Sequence, residues 1–201
     1  MVTDISVRPR LTPKGERTRA RIVEKAAALI HERGVAATTL EDVKVAADVS
    51  GSQMYHYFPD KNELVQAVID YQADTIINHN RHALGSSKGV EAWRNMVVTG
   101  VRSTQGKGGC ALGSLGGQLA ESDPEARVLM AAGFDQWAAA ISNGLRSLHA
   151  NGKLPSDIDP DDLATTLLAT LQGGLLLAQV QRNARPLETA VDTLLALIIG
   201  R

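Results

Sequence analysis

Apolar residues recur along nearly the whole chain three and four positions apart, the spacing that lines one face of an α-helix. Over residues 14–33 the repeat runs through Ile22, Ala26, Leu29 and Ile30, and Gly34 offers a C-cap. A shorter repeat through Leu40, Val43, Ala46 and Ala47 starts at Thr39, with Asp42 three residues on as a weak capping box. Asp48 then stands at a tight turn, where glycine is the easier residue for a left-handed conformation. Ser50 can cap the next short helix, which buries Met54 and Phe58 and turns Gly51, Ser52, Gln53 and His56 outward. Asp60 and Glu63 open a helix that continues to about Leu84. Later repeats predict helices at Val90–Thr104, about 110–121, Pro124 to about Ala150, Pro160 to about Arg182, and Pro186 to about Ile199. Two of these begin with aspartate followed by proline, a cap and a first helical residue.

The expected fold class is therefore all-α. Residues 1–60 form a three-helix unit behind an arm of about thirteen unstructured residues, and residues 61–201 form a larger helical domain. Composition agrees: hydrophobic content is 44% and aromatics are only 3%, which favours helix over sheet. The single cysteine excludes an intrachain disulfide and a cysteine zinc cluster. There is no unbroken run of eighteen apolar residues and no apolar leader at the start, so the expectation is a cytoplasmic protein without a membrane span. Net charge is −1, yet residues 1–62 carry ten Lys and Arg against eight Asp and Glu. That excess lies on the side where the short helices are.

Two short helices joined by a tight turn, the second polar at its N-terminal end, make a helix-turn-helix. The major groove is wide enough for the second helix. Gly51 and Ser52 allow close backbone approach, Gln53 carries the donor and acceptor that pair with adenine, and His56 is a further contact. Thr39, Tyr55, Tyr57 and Lys61 are the groups expected to hold phosphate. Four cations from Lys14 to Arg21 oppose the dipole of their own helix, and read either as groups whose repulsion nearby phosphates relieve or as a solvated charged face.

The run Val49-Ser50-x-x-x-Met54-Tyr55-His56-Tyr57-Phe58-x-x-Lys61 resembles the signature of TetR-family transcriptional regulators. The resemblance covers about residues 15–65 closely. Lys44 and Asp48 depart from it, standing where the family usually has a small residue and glycine. It implies a DNA-binding head, a long connecting helix from Lys61, and a ligand-binding, dimer-forming domain beyond. Gly109-Cys110-x-x-Gly113 is similar to the LmrA/YxaF-like subgroup, whose members are associated with efflux and with aromatic or electrophilic compounds.

For the effector cavity, the candidates are the large apolar side chains Trp93, Met96, Met130, Phe134 and Trp137, together with Cys110. Cys110 reads either as a thiol sensor, activated at a helix start, or as a small packed residue. The glycines around it lack the spacing of a phosphate loop and are expected to form a flexible turn entering the short helix. His79 and His82 are one turn apart but have no obvious further metal ligands, so no metal and no cofactor is expected. The last two helices carry more apolar surface than one contact needs, which predicts a homodimer built as a four-helix bundle. No catalytic constellation is identifiable. The expected function is a repressor that binds palindromic operator DNA as a dimer and leaves it when a small hydrophobic or aromatic effector binds. The alternatives are a thiol-sensing repressor acting through Cys110 and a helical adaptor that does not bind DNA.

Overall fold

A computed structural model of the chain describes residues 11–84 and 89–199. The expected loop at 85–88 and the arm through residue 10 lie outside the described residues. The helices are α1 (Pro13–Arg33), α2 (Leu40–Ala46), α3 (Gly51–Tyr57), α4 (Lys61–Leu84), α5 (Val90–Ser103), α6 (Ala111–Leu119), α7 (Pro124–Ala150), α8 (Pro160–Gln181) and α9 (Arg185–Ile199).

Cap chemistry sets most of the boundaries. Thr12 Oγ1 accepts from the Gly15 amide at 3.2 Å, and Pro13 takes the first helical position. The chain therefore turns helical within the stretch expected to be unstructured, because Thr12-Pro13 repeats the cap-and-proline start of α7 and α8. Asp60 Oδ1 accepts from the Glu63 amide at 2.9 Å at the head of α4. Asp123 does the same for Ala126 on α7, also at 2.9 Å. Each such bond satisfies an otherwise orphaned N–H and contributes about 1 kcal/mol.

The head is a three-helix core. Ile22, Ala26 and Ile30 of α1, Val43 of α2, and Met54 and Phe58 at the end of α3 are buried together. Asp48 adopts φ 50°, the left-handed conformation that its place in the turn demands. Its carbonyl accepts from Arg21 at 3.5 Å. Lys44 runs its chain past the half-buried surface and puts its ammonium 2.5 Å from Glu41.

Helix α4 packs on α1 at one end and along α7 over much of its length, and touches α5 and α6 as well. Helices α7, α8 and α9 stack in sequence. Gly174 permits the tightest contact there: a Cβ on it would stand 2.9 Å from Leu187 Cα. Gly173 meets nothing within 4 Å and faces outward. Helix α8 is long and apolar enough, by length and composition, to cross a membrane. Here it lies between α7 and α9 and leaves Leu176, Leu177 and Val180 exposed on one side.

The glycine-rich segment before α6 was expected to be a flexible turn. Instead it is fitted against its neighbours. Gln105, Gly106, Gly108 and Gly109 all have positive φ, and a Cβ on Gly106 would stand 2.2 Å from the Ala178 carbonyl of α8. Only glycine allows that approach.

Two forked ion pairs join α5 to α9. Arg94 binds Asp192 through Nε–Oδ1 at 2.7 Å and Nη2–Oδ2 at 2.6 Å. Arg102 binds Glu188 in the same way, at 2.5 and 2.8 Å. The guanidinium groups hold both carboxylates below their ordinary range.

Two predictions follow from these contacts. Gly174→Ala should lower unfolding stability by about 1–3 kcal/mol, since α8 and α9 must separate. Gly117→Ala, in the open interior of α6, should raise it by about 0.5–1 kcal/mol. Urea unfolding of both variants checks the pair. The second concerns pH. A depressed carboxylate contributes stability that is complete above its unfolded pKa and is lost as pH falls through the folded value. A Glu188→Gln, Asp192→Asn variant should thus have a lower urea midpoint than the parent at pH 7. The gap should close on acidification below the usual carboxylate range.

Candidate nucleic-acid interface and internal cavity

Helix α3 presents its polar N-terminal side to solvent. Ser52, Gln53, Tyr55 and His56 are exposed, and Gly51 has nothing within 4 Å of where a Cβ would stand. The N-terminus of α3 is closed by a full capping box. Ser50 Oγ accepts from the Gln53 amide at 3.2 Å, and Gln53 Oε1 accepts from the Ser50 amide at 3.0 Å. Gln53 was expected to offer both amide atoms to adenine. Its oxygen is already engaged, so paired reading requires that bond to open, while Nε2 is available without it.

Thr39 is committed in the same way. Its hydroxyl donates to Asp42 Oδ2 at 2.5 Å and accepts from the Asp42 amide at 3.1 Å. The Thr39 hydroxyl, followed by the Thr39 N–H, holds the Asp42 carboxyl below its ordinary range. Tyr55 is fully available, at 61% exposure. Tyr57 is half-buried; its hydroxyl lies 3.3 Å from where a Cβ on Gly15 would stand, against the first turn of α1. The His56 ring meets the Tyr57 ring edge-on at 5.0 Å. Lys61 Nζ donates to the Ala36 carbonyl at 3.4 Å, a long bond that a phosphate can displace. The cations of α1 line the same side of the head. Arg21 reaches the α2–α3 turn, and Arg19 lies over the Phe58 ring at 5.1 Å.

The second feature is a cavity of about 360 Å³ below the head. Helices α4, α5, α6, α7 and α8 enclose it, and α1 reaches it through His31. Its size suits a small organic molecule. Met96, Cys110 and Trp137 lie in its wall. Trp93, Met130 and Phe134 do not. Trp93 is fully buried behind the wall, its Nε1 donating to Asn80 Oδ1 at 2.6 Å. Met130 is packed in the core. Phe134 stacks on Trp137 with centroids 6.3 Å apart.

The wall also contains His31, Thr75, His79, Asn80 and Leu171, which the sequence reading left out of the cavity. His79 had been weighed only as a metal ligand. It bonds the Thr75 carbonyl through Nδ1 at 2.6 Å, and no group of three metal-ligating side chains occurs among the described residues. The side chain of His82 lies outside the described residues.

Cys110 is the N-cap of α6, its Sγ accepting from the Gly113 amide at 3.3 Å. Of the two readings of Cys110, the sensor reading relies on the helix start lowering the thiol pKa. Burial outweighs that pull and pushes the thiol up.

Helix α6 runs from the cavity to the head. At its far end Gln118 Oε1 accepts from the Val35 amide, in the α1–α2 connection, at 2.7 Å. Gln118 Nε2 is itself held by Ser114, through the carbonyl at 3.1 Å and Oγ at 3.2 Å. Helix α6 is thus hydrogen-bonded to the head at one end and borders the cavity at the other.

These two features, an exposed helix-turn-helix and an open cavity bordered by a short helix that also touches the head, define a helix-turn-helix protein with a second, larger helical unit. Comparison with known proteins gives the family. Residues 22–68 match the model for bacterial regulatory proteins of the tetR family, and residues 88–194 match the tetracyclin repressor-like C-terminal domain. The chain belongs to the TetR family of transcriptional regulators, which are DNA-binding proteins with a helix-turn-helix. It is 29% identical over 179 residues to an uncharacterised HTH-type transcriptional regulator of Mycobacterium tuberculosis, covering 85% of this chain and 88% of that one. The fold is that of a TetR regulatory protein from Rhodobacter sphaeroides, with a TM-score of 0.80, 20% identity, and 90% and 99% of the two chains covered. It is also that of SmeT in complex with triclosan, with a TM-score of 0.69, 23% identity, and 91% and 92% covered.

A raised thiol pKa makes Cys110 slow to react. Iodoacetamide at pH 7.5 should alkylate it at least about tenfold more slowly than free glutathione. The rate should keep climbing above the pH at which an ordinary thiol has already ionised. Mass spectrometry of timed aliquots measures this; a rate equal to glutathione's would mean that the thiol is ionised where it sits.

Proposed function

We propose that this chain is an effector-released transcriptional repressor that binds a palindromic operator as a homodimer. Residues 1–60 serve as the DNA-binding unit and residues 61–201 as the effector and dimer unit. The carrying observation is that α6 touches both the cavity, through Cys110, and the head, through Gln118 and Val35. An effector that fits only when α6 shifts favours a conformer with a displaced head. By linkage, operator must weaken effector binding by the same factor.

Gly51, Ser52, Gln53 and His56 read bases, and Thr39, Tyr55, Tyr57 and Lys61 hold phosphate. The structure supports unequal roles. Tyr55 and His56 stand ready, whereas the Ser52 hydroxyl shares a bond with the Ser50 hydroxyl, and Gln53 and Thr39 must give up a cap bond to make their full contacts. Met96, Cys110 and Trp137 contact the effector, while Trp93, Met130 and Phe134 brace the wall from behind. A small hydrophobic or aromatic effector suits this lining, and triclosan in SmeT is a molecule of that kind.

The dimer forms through α8 and α9. Gly173, Leu176, Leu177 and Val180 lie on one exposed stripe of α8 at helical spacing, and Leu197 of α9 is exposed as well. Beside them runs an open groove of about 730 Å³ between the two helices. A second copy covers this face, leaving the two α3 helices to enter successive major grooves. Gly109, Cys110 and Gly113 support placement near the LmrA/YxaF-like subgroup. The protein acts in the cytoplasm as a regulator and not as an enzyme. Cys110 favours a second reading, electrophile sensing, because its sulfur lies in the cavity wall; its buried, protonated state weighs against it.

The test is binding of the purified protein to its own upstream DNA over a salt series. The parent should bind one fragment selectively, and affinity should fall steeply as salt rises. A Gln53→Ala, Tyr55→Phe variant should lose the selectivity. Val180→Asp should elute at 21.4 kDa rather than twice that, and should lose tight binding with it. Weak, unselective binding that is identical in all three proteins would move the assignment to an adaptor.

A further inference from the structure

A cavity that accepts an effector also discriminates among effectors, and its buried polar atoms set the terms. Both tryptophans are buried, but their indole N–H groups fare differently. Trp93 Nε1 is matched by Asn80 Oδ1, and Asn80 Nδ2 in turn donates to the Ile76 carbonyl at 2.8 Å. That network is closed. Trp137 is 3% exposed, forms part of the cavity wall, and its Nε1 finds no acceptor among the described residues. Stacking on Phe134, with ring planes 11° apart, holds the indole in place, so the N–H cannot simply turn to another partner. Buried donors are rarely left unmatched.

A second buried donor lies nearby in the fold. The Gln172 side chain bonds the Cys110 thiol, a pull on its pKa that burial outweighs. Its amide sits at α6, with Oε1 2.6 Å from where a Cβ on Gly113 would stand. The wall contributes no aspartate, glutamate, lysine or arginine. Its remaining polar groups are two histidines, a threonine, Asn80 and the thiol. One wall residue, Trp137, therefore carries an unmatched N–H just beneath an otherwise mostly apolar surface with no permanent charge, so an acceptor meets it by seating into the wall.

We infer that the effector is an uncharged, mainly apolar molecule that carries a hydrogen-bond acceptor, a carbonyl or ether oxygen, which takes the N–H of Trp137. This rests on the cavity being the effector site and adds the chemistry that site selects. A pure hydrocarbon of the same shape fills the space but leaves the donor unpaired, and loses affinity for that reason. Trp137 acts as the specificity residue.

The experiment uses two isosteric probes, benzophenone and 1,1-diphenylethylene, which differ only in C=O against C=CH₂. The two tryptophans give two indole N–H signals in a ¹⁵N-labelled sample of the full chain, assigned with Trp137→Phe. Benzophenone should bind about tenfold more tightly than the hydrocarbon. It should also move the Trp137 indole proton downfield while the Trp93 signal stays. In Trp137→Phe the two probes should bind alike. Equal binding of both probes to the natural protein, with the Trp137 proton in the same place for each, would overturn the inference and leave the cavity as a binding site. Failure of both probes to bind up to their solubility would overturn it together with the cavity's assignment as an effector site. The comparison within the natural protein decides the matter even where the phenylalanine variant does not fold.

Discussion

Helix α4 must bury apolar surface against two different partners, and much else depends on how it does so. Its N-terminal half carries Leu64, Val65, Val68 and Ile69, all buried, where it packs on α1. Further along, Ala73 lies 3.2 Å from where a Cβ on Gly133 of α7 would stand, and Ile77 is buried beyond it. One rigid rod thus belongs to the core of the head and to the core of the larger unit. Neither can shift relative to the other without sliding packed side chains, and such contacts favour discrete arrangements over gradual ones. The cavity opens against this same rod, at Thr75, Ile76, His79 and Asn80. An occupant therefore presses on the element that orients the head.

The cap chemistry of the head adds a second constraint. Thr39 with Asp42, and Ser50 with Gln53, each close a reciprocal box that stabilises a helix only seven residues long. Helices that short need their caps, because few internal bonds hold them. Thr39 and Gln53 are also two of the groups proposed to contact DNA. On that proposal a full contact by either residue includes the cost of opening a cap bond. Tyr55 bears no such conflict. The departures at Lys44 and Asp48 are absorbed locally, Lys44 by its ion pair with Glu41 and Asp48 by a left-handed turn whose carbonyl Arg21 binds.

Much of this was legible in the sequence, because its signals were local. Periodicity and caps gave the helices to within a residue or two at most ends, and Asp48 in the left-handed turn was expected. The start of α1 was missed although Thr12-Pro13 carries the same signal as Asp123-Pro124; the irregular, proline-bearing residues ahead of it obscured the cap. The cavity was only partly legible for a different reason. Trp93 and Trp137 are both buried aromatics on helices, and nothing in their own spacing tells which one meets open space. That depends on what stands opposite: Asn80 closes over Trp93, while Trp137 faces the gap that α4, α5 and α8 leave. His31 was out of reach altogether, since it lies at the charged end of α1 and joins the cavity only through tertiary packing. The sequence left both readings of Cys110 open because a helix start is visible in sequence and a desolvated pocket is not.

His31 also changes how the two halves communicate. It lies in the last turn of α1, within the head, and yet it lines the cavity. Its Nε2 sits 2.4 Å from where a Cβ on Gly108 would stand, so the glycine segment before α6 is moulded to the ring. The same segment is moulded to α8 through Gly106 and Ala178. The head is thus held at two points by one short stretch of chain, at His31 by the segment that enters α6 and at Val35 by Gln118 near the end of α6. A side chain added in the segment would separate α1 from α8, and an occupant of the cavity pushes on the same contacts from inside. Coupling in this fold needs no long chain of intermediaries, because the wall of the cavity already includes part of the DNA-binding unit.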